Sequence, residues 1–222
     1  KGTSQTILTD YSHLDEALKK PILKRDLFPE PVIIETLELL RDRKNTICRV
    51  RSKDGATGTA IGHPFIAMSS YPMFNLNLKH HFLGKDARDL DTLIFNAAER
   101  NVKRQGIPLN VQIAVIEFAI LDMLGTLINK PAGLLIGEIK NPEVSIYLGH
   151  HLSAFRKKEP EESLELMYQD YLKTEAKAIK LRAGRGDNLA TDIDNAPGRT
   201  EKLIRMAREK FGDDMNLMID GN

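Results

Sequence analysis

From Pro142 onward, short apolar runs alternate with longer amphipathic segments, and this alternation constrains the fold more than any other feature of the sequence. We predict strands at 144–148, 178–181 and 215–219, and helices at 161–174 and 197–210. A strand-helix-strand-helix-strand order requires a parallel sheet with right-handed crossovers. The candidates are an open doubly wound sheet and a barrel. No helix opens with the G-x-G-x-x-G pattern, which argues against a dinucleotide-binding sheet.

The preceding segment has a different pattern and predicts an α+β unit. Three strand-like runs with a hairpin turn at Asp54-Gly55 predict an antiparallel meander at 32–40, 46–51 and 56–62. Two amphipathic helices, predicted at 87–104 and 111–127, should pack on this meander. On the second helix we expect one apolar stripe to be core: Val111, Ala114, Val115, Phe118, Leu121, Leu124 and Ile128.

Charge and composition favour small molecules as partners. Lys and Arg number 32 against 31 Asp and Glu, so the chain has no basic excess to bind a nucleic acid or an anionic membrane. We expect no membrane span, because no run of about 18 apolar residues occurs. The single cysteine, Cys48, excludes an internal disulfide and is expected in the core. The expected location is the cytoplasm, or the periplasm if a leader is removed before Lys1.

Charged residues follow two neighbouring strands of the predicted parallel sheet. Lys180-Leu181-Arg182 ends the second strand, and Asp220-Gly221-Asn222 follows the third. In a parallel α/β barrel the catalytic groups lie at the carboxyl ends of the strands, so these residues should face one pocket. Lys180 and Arg182 share a face because side chains alternate along a strand. Two other interpretations stay open: a solvated edge for the basic pair, and a simple turn for Asp-Gly-Asn.

Motifs in both parts of the chain resemble those of the mandelate racemase and muconate lactonising group of the enolase superfamily. The helix sequence EFAILDMLG at 117–125 resembles the family's A-l-D-x-x-G, and KPAGLLIG at 130–137 resembles P-x-x-x-L-x-G. The family's K-x-K and D-x-N strand ends correspond to the two charged triplets at 180–182 and 220–222. The resemblance covers the chain from about Val32 to Asn222.

The resemblance implies an α/β protein. In it, an α+β capping domain, a three-stranded meander plus helices, precedes the first three strands of a (β/α) TIM-like barrel, truncated at Asn222. The chain then divides into an extended N-terminal arm at 1–31, which prolines interrupt, the capping domain at 32–141 and the first part of the barrel domain at 142–222. A complete barrel has eight strands, so we expect the chain to belong to a longer one. We also expect a homo-oligomer.

The resemblance further implies an enzyme that removes the proton next to the carboxylate of a small-molecule substrate. The resulting enolate needs positive charge at its oxygens, which a divalent metal supplies best. Asp220 is the expected first ligand of Mg²⁺, because this ion prefers oxygen ligands. Asn222, His151 and His63 are the expected substrate contacts, the last because capping-domain loops of this family close over the substrate. For His63 a role in a turn is the alternative.

Arg182 departs from the family pattern, in which the second lysine is the proton-transferring base. A guanidinium with a pKa above about 12 is a poor base, but it binds a carboxylate through two N–H groups. The base is then Lys180 or a residue beyond Asn222, and the metal and Arg182 should lower the pKa of Lys180. Dehydration needs abstraction from one face only, so the sequence favours an acid-sugar dehydratase.

Three alternatives remain open. The first is a racemase, epimerase or cycloisomerase of the same superfamily. The second is a different barrel or open-sheet enzyme that binds phosphate at Ala183-Gly184-Arg185-Gly186. The third is a non-catalytic relative, because a fold alone does not establish a reaction. Asp187, Asp192 and Asp194 are expected in a solvated loop, with a second cation site as the alternative.

Overall fold

The computed structural model describes residues 11–43, 45–149, 159–174, 176–184 and 197–221. Two compact units, Lys1–Lys140 and Asn141–Asn222, make up the chain. An antiparallel three-stranded sheet lies in the first unit and a parallel three-stranded sheet in the second. This order confirms the predicted fold class, an α+β capping domain followed by the start of a barrel.

The meander of the first unit consists of β1 (Ile34–Asp42), β2 (Asn45–Ser52) and β3 (Thr57–Gly62), in that order across the sheet. Gly55, with a φ of +88°, lies in the predicted hairpin turn between β2 and β3. Buried and exposed side chains alternate along β2, so one face of the sheet packs on the core. Cys48 lies on this face, and burial raises the pKa of its thiol to about 12.

The α-helices described in this unit are α1 (Ser12–Leu18), α2 (Ile66–Ser69), α3 (Tyr71–Met73), α4 (Lys79–Phe82), α5 (Leu90–Arg100), α6 (Ile107–Ile128) and α7 (Ala132–Ile136). The helix predicted at 87–104 is shorter than expected. Its two ends are 3₁₀ turns, Ala87–Asp89 and Val102–Arg104, on either side of α5. The Asp86 side chain starts the first turn by accepting a hydrogen bond from the Arg88 N–H.

α6 is the central helix of the first unit and packs on β2 and β3. By length and hydropathy it would suffice to cross a membrane, but 56% of its 18-residue apolar window is buried, as in a core helix. The predicted stripe is wrong at Phe118, whose side chain is 61% exposed, whereas Leu121 is buried. Because α6 is apolar on almost all sides, its periodicity does not identify the face against the meander. The buried face instead follows Ile116, Ile120 and Met123.

The motif at 117–125 has a packing role in this unit. Asp122 Oδ2 accepts a hydrogen bond of 2.8 Å from the Thr59 N–H, which joins α6 to β3. At the end of α6, Asn129 adopts a left-handed backbone with φ +53°, and the Lys130 N–H donates to the Gly125 carbonyl at 2.9 Å. Asp122 therefore holds β3 against α6, and Gly125, Asn129 and Lys130 form the turn that leads into α7.

Gly58 lets β3 approach α6 closely. A Cβ built there would lie 2.1 Å from the Met123 nitrogen and 2.2 Å from the Ala119 oxygen, which are backbone atoms that cannot rotate away. We expect Gly58→Ala to lower the free energy of unfolding by about 3 kcal/mol, the upper end for overpacking. In the control Gly133→Ala, the added Cβ would meet only Ile139, at 3.9 Å. Chemical denaturation compares the two, and equal losses would contradict the packing argument.

The N-terminal arm is not extended throughout, since residues 12–18 form α1. This stretch contains no proline or glycine, whereas Pro21 and later prolines exclude a regular helix after it. Beyond α1 the arm packs on the core of the first unit through the buried side chains of Leu23 and Phe28. Arg88, paired with Asp86 at 2.7 Å, donates to the Phe28 carbonyl at 3.0 Å.

The parallel sheet of the second unit consists of β4 (Tyr147–Gly149), β5 (Ala178–Arg182) and β6 (Asn216–Asp220), in sequential order. The helices α8 (Pro160–Thr174) and α9 (Arg199–Phe211) pack on each other, and their apolar faces share a core with the strands. β4 is shorter than the predicted strand at 144–148. β5 begins at Ala178, opposite Tyr147, so the preceding residues have no partner on β5.

Candidate active site

The candidate site lies where β5 and β6 end. The strands run in parallel, with Lys180 opposite Met218 and Arg182 opposite Asp220. Alternation along β5 places Lys180 and Arg182 on one face of the sheet, and the register brings Asp220 beside Arg182. The structure thus brings together the three charged residues that the sequence analysis placed in one pocket.

Asp220 binds one cation with each carboxylate oxygen. Lys180 Nζ lies 3.2 Å from Oδ2, and an Arg182 terminal nitrogen donates to Oδ1 at 2.8 Å. The side chains of Lys180 and Asp220 are 34% and 32% exposed, whereas that of Arg182 is only 8% exposed. Arg182 is therefore not part of a solvated edge. Asp220 is the last residue of β6 and is fixed by two cations, which is more than a simple turn requires.

Lys180 is a protonated partner of Asp220 in this arrangement. Hydrogen bonding to Asp220, and then to Tyr147, raises the pKa of Lys180 above its ordinary value. This direction is opposite to the lowered pKa expected beside a bound metal, and the pKa of Lys180 with metal bound stays a prediction. That expectation counted Arg182 as a neighbouring charge but not the carboxylate that lies between the two cations.

Arg182 is positioned by the segment that follows β5. The Ala183 N–H donates to the Asp220 carbonyl at 3.0 Å, and the Gly184 N–H donates to Thr200 Oγ1 at 2.9 Å. The first turn of α9 thereby fixes the end of β5. Because Arg182 is nearly buried and is bonded to the carboxylate, it orients Asp220, which suits a guanidinium better than proton transfer does.

Tyr147 on β4 belongs to the site, although the sequence analysis did not single it out. Lys180 Nζ lies 5.2 Å from the centroid of its ring. Tyr147 is opposite Ala178, two residues before Lys180, so the two side chains share a face of the sheet. The available signal was an aromatic residue on the first barrel strand, but its relevance depends on the strand register, which the sequence does not give.

The other predicted contacts are only partly described. His63 is exposed, and its Nδ1 accepts hydrogen bonds of 3.4 Å from the Phe65 N–H and 3.3 Å from the Ile66 N–H. This is the turn role considered for His63, and its contact with substrate stays a prediction. His151 and Asn222 lie outside the described residues, as do Arg185, Gly186, Asp187, Asp192 and Asp194.

Asp220 can serve as one ligand of Mg²⁺, but it does not form a complete metal site by itself. Its partly exposed carboxylate offers the oxygen atoms that this ion prefers, at the edge of the sheet. Within the described part of the chain, no group of three or more His, Cys, Asp or Glu side chains could hold a metal ion. Further ligands would have to come from outside the described residues, from substrate or from water.

Solved structures share this fold across both units. The "putative racemase" from Roseobacter denitrificans matches 86% of this chain and 50% of its own, with a TM-score of 0.76 and 28% identity. A magnesium complex of a mandelate racemase/muconate lactonizing protein from Paracoccus denitrificans matches 87% of this chain and 52% of its own. The TM-score is 0.73 and the sequence identity is 20%. The 3,6-anhydro-D-galactonate cycloisomerase from Zobellia galactanivorans matches 87% of this chain and 50% of its own. The TM-score is 0.63 and the sequence identity is 28%.

Further matches differ in the reaction that their names give. One is an L-talarate/galactarate dehydratase from Salmonella typhimurium, liganded with Mg and L-lyxarohydroxamate, at 20% identity and a TM-score of 0.65. Sequence models of protein families and curated protein sequences give no match to this chain. The chain spans about half the length of the structures it matches: it covers 50%, 52% and 50% of the first three chains described above.

Proposed function

We propose that this chain is part of a Mg²⁺-dependent enzyme of the mandelate racemase and muconate lactonising group of the enolase superfamily, with whose structures it shares its fold. The proposed reaction removes the α-proton of a carboxylate substrate. One observation carries the proposal: Asp220, Lys180 and Arg182 meet at the carboxyl ends of two neighbouring parallel strands. Barrel enzymes place their chemistry at these strand ends.

The residues suit the electrostatic demand of this reaction. Loss of an α-proton from a carboxylate produces an enolate with two negative oxygens, which fixed positive charge must stabilise. Mg²⁺, when bound, supplies Lewis-acid charge beside those oxygens. Asp220 would hold the ion, and Arg182 would keep the Asp220 carboxylate in a fixed orientation. Lys180 adds a partly exposed ammonium on the same face of the sheet, where it can meet a substrate carboxylate or move a proton.

Arg182 is the reason for choosing a dehydratase. A guanidinium is a poor base, and this one donates a hydrogen bond to Asp220, so it does not suit proton exchange with substrate. On β5 only Lys180 can exchange a proton, as the neutral amine that forms once its ammonium has given up a proton, and it acts from one face. Abstraction from one face followed by loss of the neighbouring hydroxyl is a dehydration, so we propose acid sugars as the substrate class. The dehydratase among the matched structures supports this choice.

A racemase or cycloisomerase is the second candidate. The two matches at 28% identity carry these names, which is the observation in its favour. A racemase needs a base on each face of the substrate, and on the β5 side that base would have to be Lys180. The two candidates therefore differ in whether water is lost.

Product analysis separates these candidates. The full-length protein is incubated with Mg²⁺ and a panel of aldonic and aldaric acids, and the products are identified by mass spectrometry and NMR. We expect a 2-keto-3-deoxy acid, formed by loss of one water from the substrate. Interconversion of configurations at C2 without loss of water would instead support the second candidate and contradict the dehydratase.

Arg182→Lys tests how this residue restricts the chemistry. A lysine there is able to exchange a proton, so we expect deuterium from D₂O to enter the C2 position in a second configuration, which the wild type does not produce. Loss of the guanidinium contact to Asp220 should also weaken Mg²⁺ binding about tenfold. Arg208→Lys is the control, because the Arg208 guanidinium donates to the Gly212 and Met215 carbonyls at the other end of α9. The same deuterated product from Arg182→Lys and from wild type would refute this role.

A further inference from the structure

Lys180 contacts a second element besides β6. Its ammonium lies between the Asp220 carboxylate, at 3.2 Å, and the ring of Tyr147, whose centroid is 5.2 Å away. Tyr147 is 48% exposed, so it does not serve to fill the core of the second unit. The metal-binding role proposed for Asp220 leaves this contact without an explanation.

Gly149 makes the contact possible. In the β4–β5 register Gly149 is the residue directly opposite Lys180, whereas Tyr147 is opposite Ala178. A Cβ built on Gly149 would lie 3.2 Å from Cε2 and 3.8 Å from Cδ2 of Tyr147. The Tyr147 ring therefore leans along β4 over the space that a side chain at position 149 would take, and this brings it towards Lys180.

From this geometry we propose that Tyr147 is a positioning residue, which holds the Lys180 ammonium at the carboxyl edge of the sheet, and that Gly149 leaves the room for its ring. A free lysine side chain has several rotatable bonds, and ordering it has an entropic cost. An aromatic face attracts an ammonium and reduces the conformations it samples. With Asp220 on one side and Tyr147 on the other, the ammonium is held from two neighbouring strands.

The second unit contains a matched pair away from this site. Lys210 Nζ lies 4.6 Å from the centroid of the Tyr168 ring and 2.8 Å from Glu165 Oε2, so it too is held by a carboxylate and an aromatic ring. Lys210 is on α9, and Tyr168 and Glu165 are on α8. A change at Tyr168 therefore controls for loss of a lysine–tyrosine contact in general.

Acylation of lysines in the absence of Mg²⁺ tests the contact directly. The full-length protein is treated with an N-hydroxysuccinimide acetate ester, and labelling of Lys180 is followed by peptide mass spectrometry. We expect Lys180 to react about threefold faster in Tyr147→Leu and in Gly149→Ala, because its ammonium is released.

Two further variants serve as controls. Tyr147→Phe keeps the ring and should recover part of the protection. Tyr168→Leu should leave Lys180 labelling unchanged. Unchanged Lys180 labelling in both Tyr147→Leu and Gly149→Ala would overturn the proposal.

The catalytic consequence rests on the proposed function and is measured separately. If Lys180 moves the proton, its displacement should lower kcat on the order of tenfold while KM stays within about twofold, because misplacement of a reacting group affects the transition state most. Gly149→Ala should likewise lower kcat and leave KM nearly unchanged, although it keeps the Tyr147 side chain. The two proposals can fail separately. If Lys180 is labelled faster in both variants but the wild type has no activity on any acid of the panel, the positioning of Lys180 is upheld and the proposed function is refuted.

Discussion

Asp220→Asn is expected to lower the Mg²⁺-dependent turnover of the full-length protein on the order of 10³-fold, the size of effect seen when a principal electrostatic group is removed from an active site. Asparagine keeps an oxygen that can accept the Arg182 hydrogen bond, which is 2.8 Å long in the wild type. Alanine is a poorer test, because it would leave the nearly buried Arg182 without its carboxylate and destabilise the second unit.

Titration calorimetry with Mg²⁺ alone accompanies the kinetic measurement. Asp220→Asn should bind Mg²⁺ more weakly, since an amide oxygen is a poorer ligand for this ion than a carboxylate. Asp214→Asn is the matched control, because Asp214 is an exposed acid just before the other end of β6. Equal Mg²⁺ affinities for wild type and Asp220→Asn would remove Asp220 from the metal site.

Lys180→Met is expected to lower turnover by about 10²- to 10⁴-fold, the contribution typical of a positioned acid or base. Methionine keeps an apolar stem of similar length and removes only the ammonium. Arg182 still holds Asp220 in this variant, so Mg²⁺ affinity should change by no more than about threefold. Loss of activity without loss of metal affinity would distinguish Lys180 from Asp220.

The control for Lys180→Met is Lys177→Met, which changes an exposed lysine just before β5. Both variants are compared with wild type by steady-state kinetics on the same acid. Turnover by Lys180→Met within about threefold of the wild-type value would exclude a role for Lys180 in proton transfer.

The alternation of strands and helices in the second unit was readable from the sequence because each element has one strong signal. β5 and β6 are short apolar runs with a charged residue at the end, and α9 is an amphipathic helix that ends before Gly212. Two periodicities, one for strands and one for helices, are then enough to predict a parallel sheet. The meander was equally clear, because Gly55 marks a tight turn between alternating strands.

The sequence was a poorer guide where several faces of an element are apolar. Phe118 fits an apolar helical stripe, but the face of α6 that packs on the sheet is set by the approach of β3 at Gly58, a tertiary feature. α1 was missed for the opposite reason. Its side chains bury nothing, so no apolar periodicity marks it.

Within the candidate site, residue types were predictable but pairings were not. The two-residue alternation on β5 predicted that Lys180 and Arg182 share a face. The strand register, which short-range sequence does not encode, decides that Asp220 lies between the two cations and that Tyr147 approaches Lys180. The direction of the Lys180 pKa depends on these pairings, and in the protein chain without metal the carboxylate of Asp220 raises it.

The central claim, metal-assisted removal of an α-proton at the ends of β5 and β6, is tested most directly by ¹H NMR in D₂O. The α-proton signal of each acid in the panel is followed with the full-length protein, with and without Mg²⁺, and with Asp220→Asn. We predict loss of the α-proton signal for at least one acid, only with Mg²⁺ and not with Asp220→Asn. Loss at the same rate without Mg²⁺ or with Asp220→Asn, or persistence of the signal for every acid, would contradict the account.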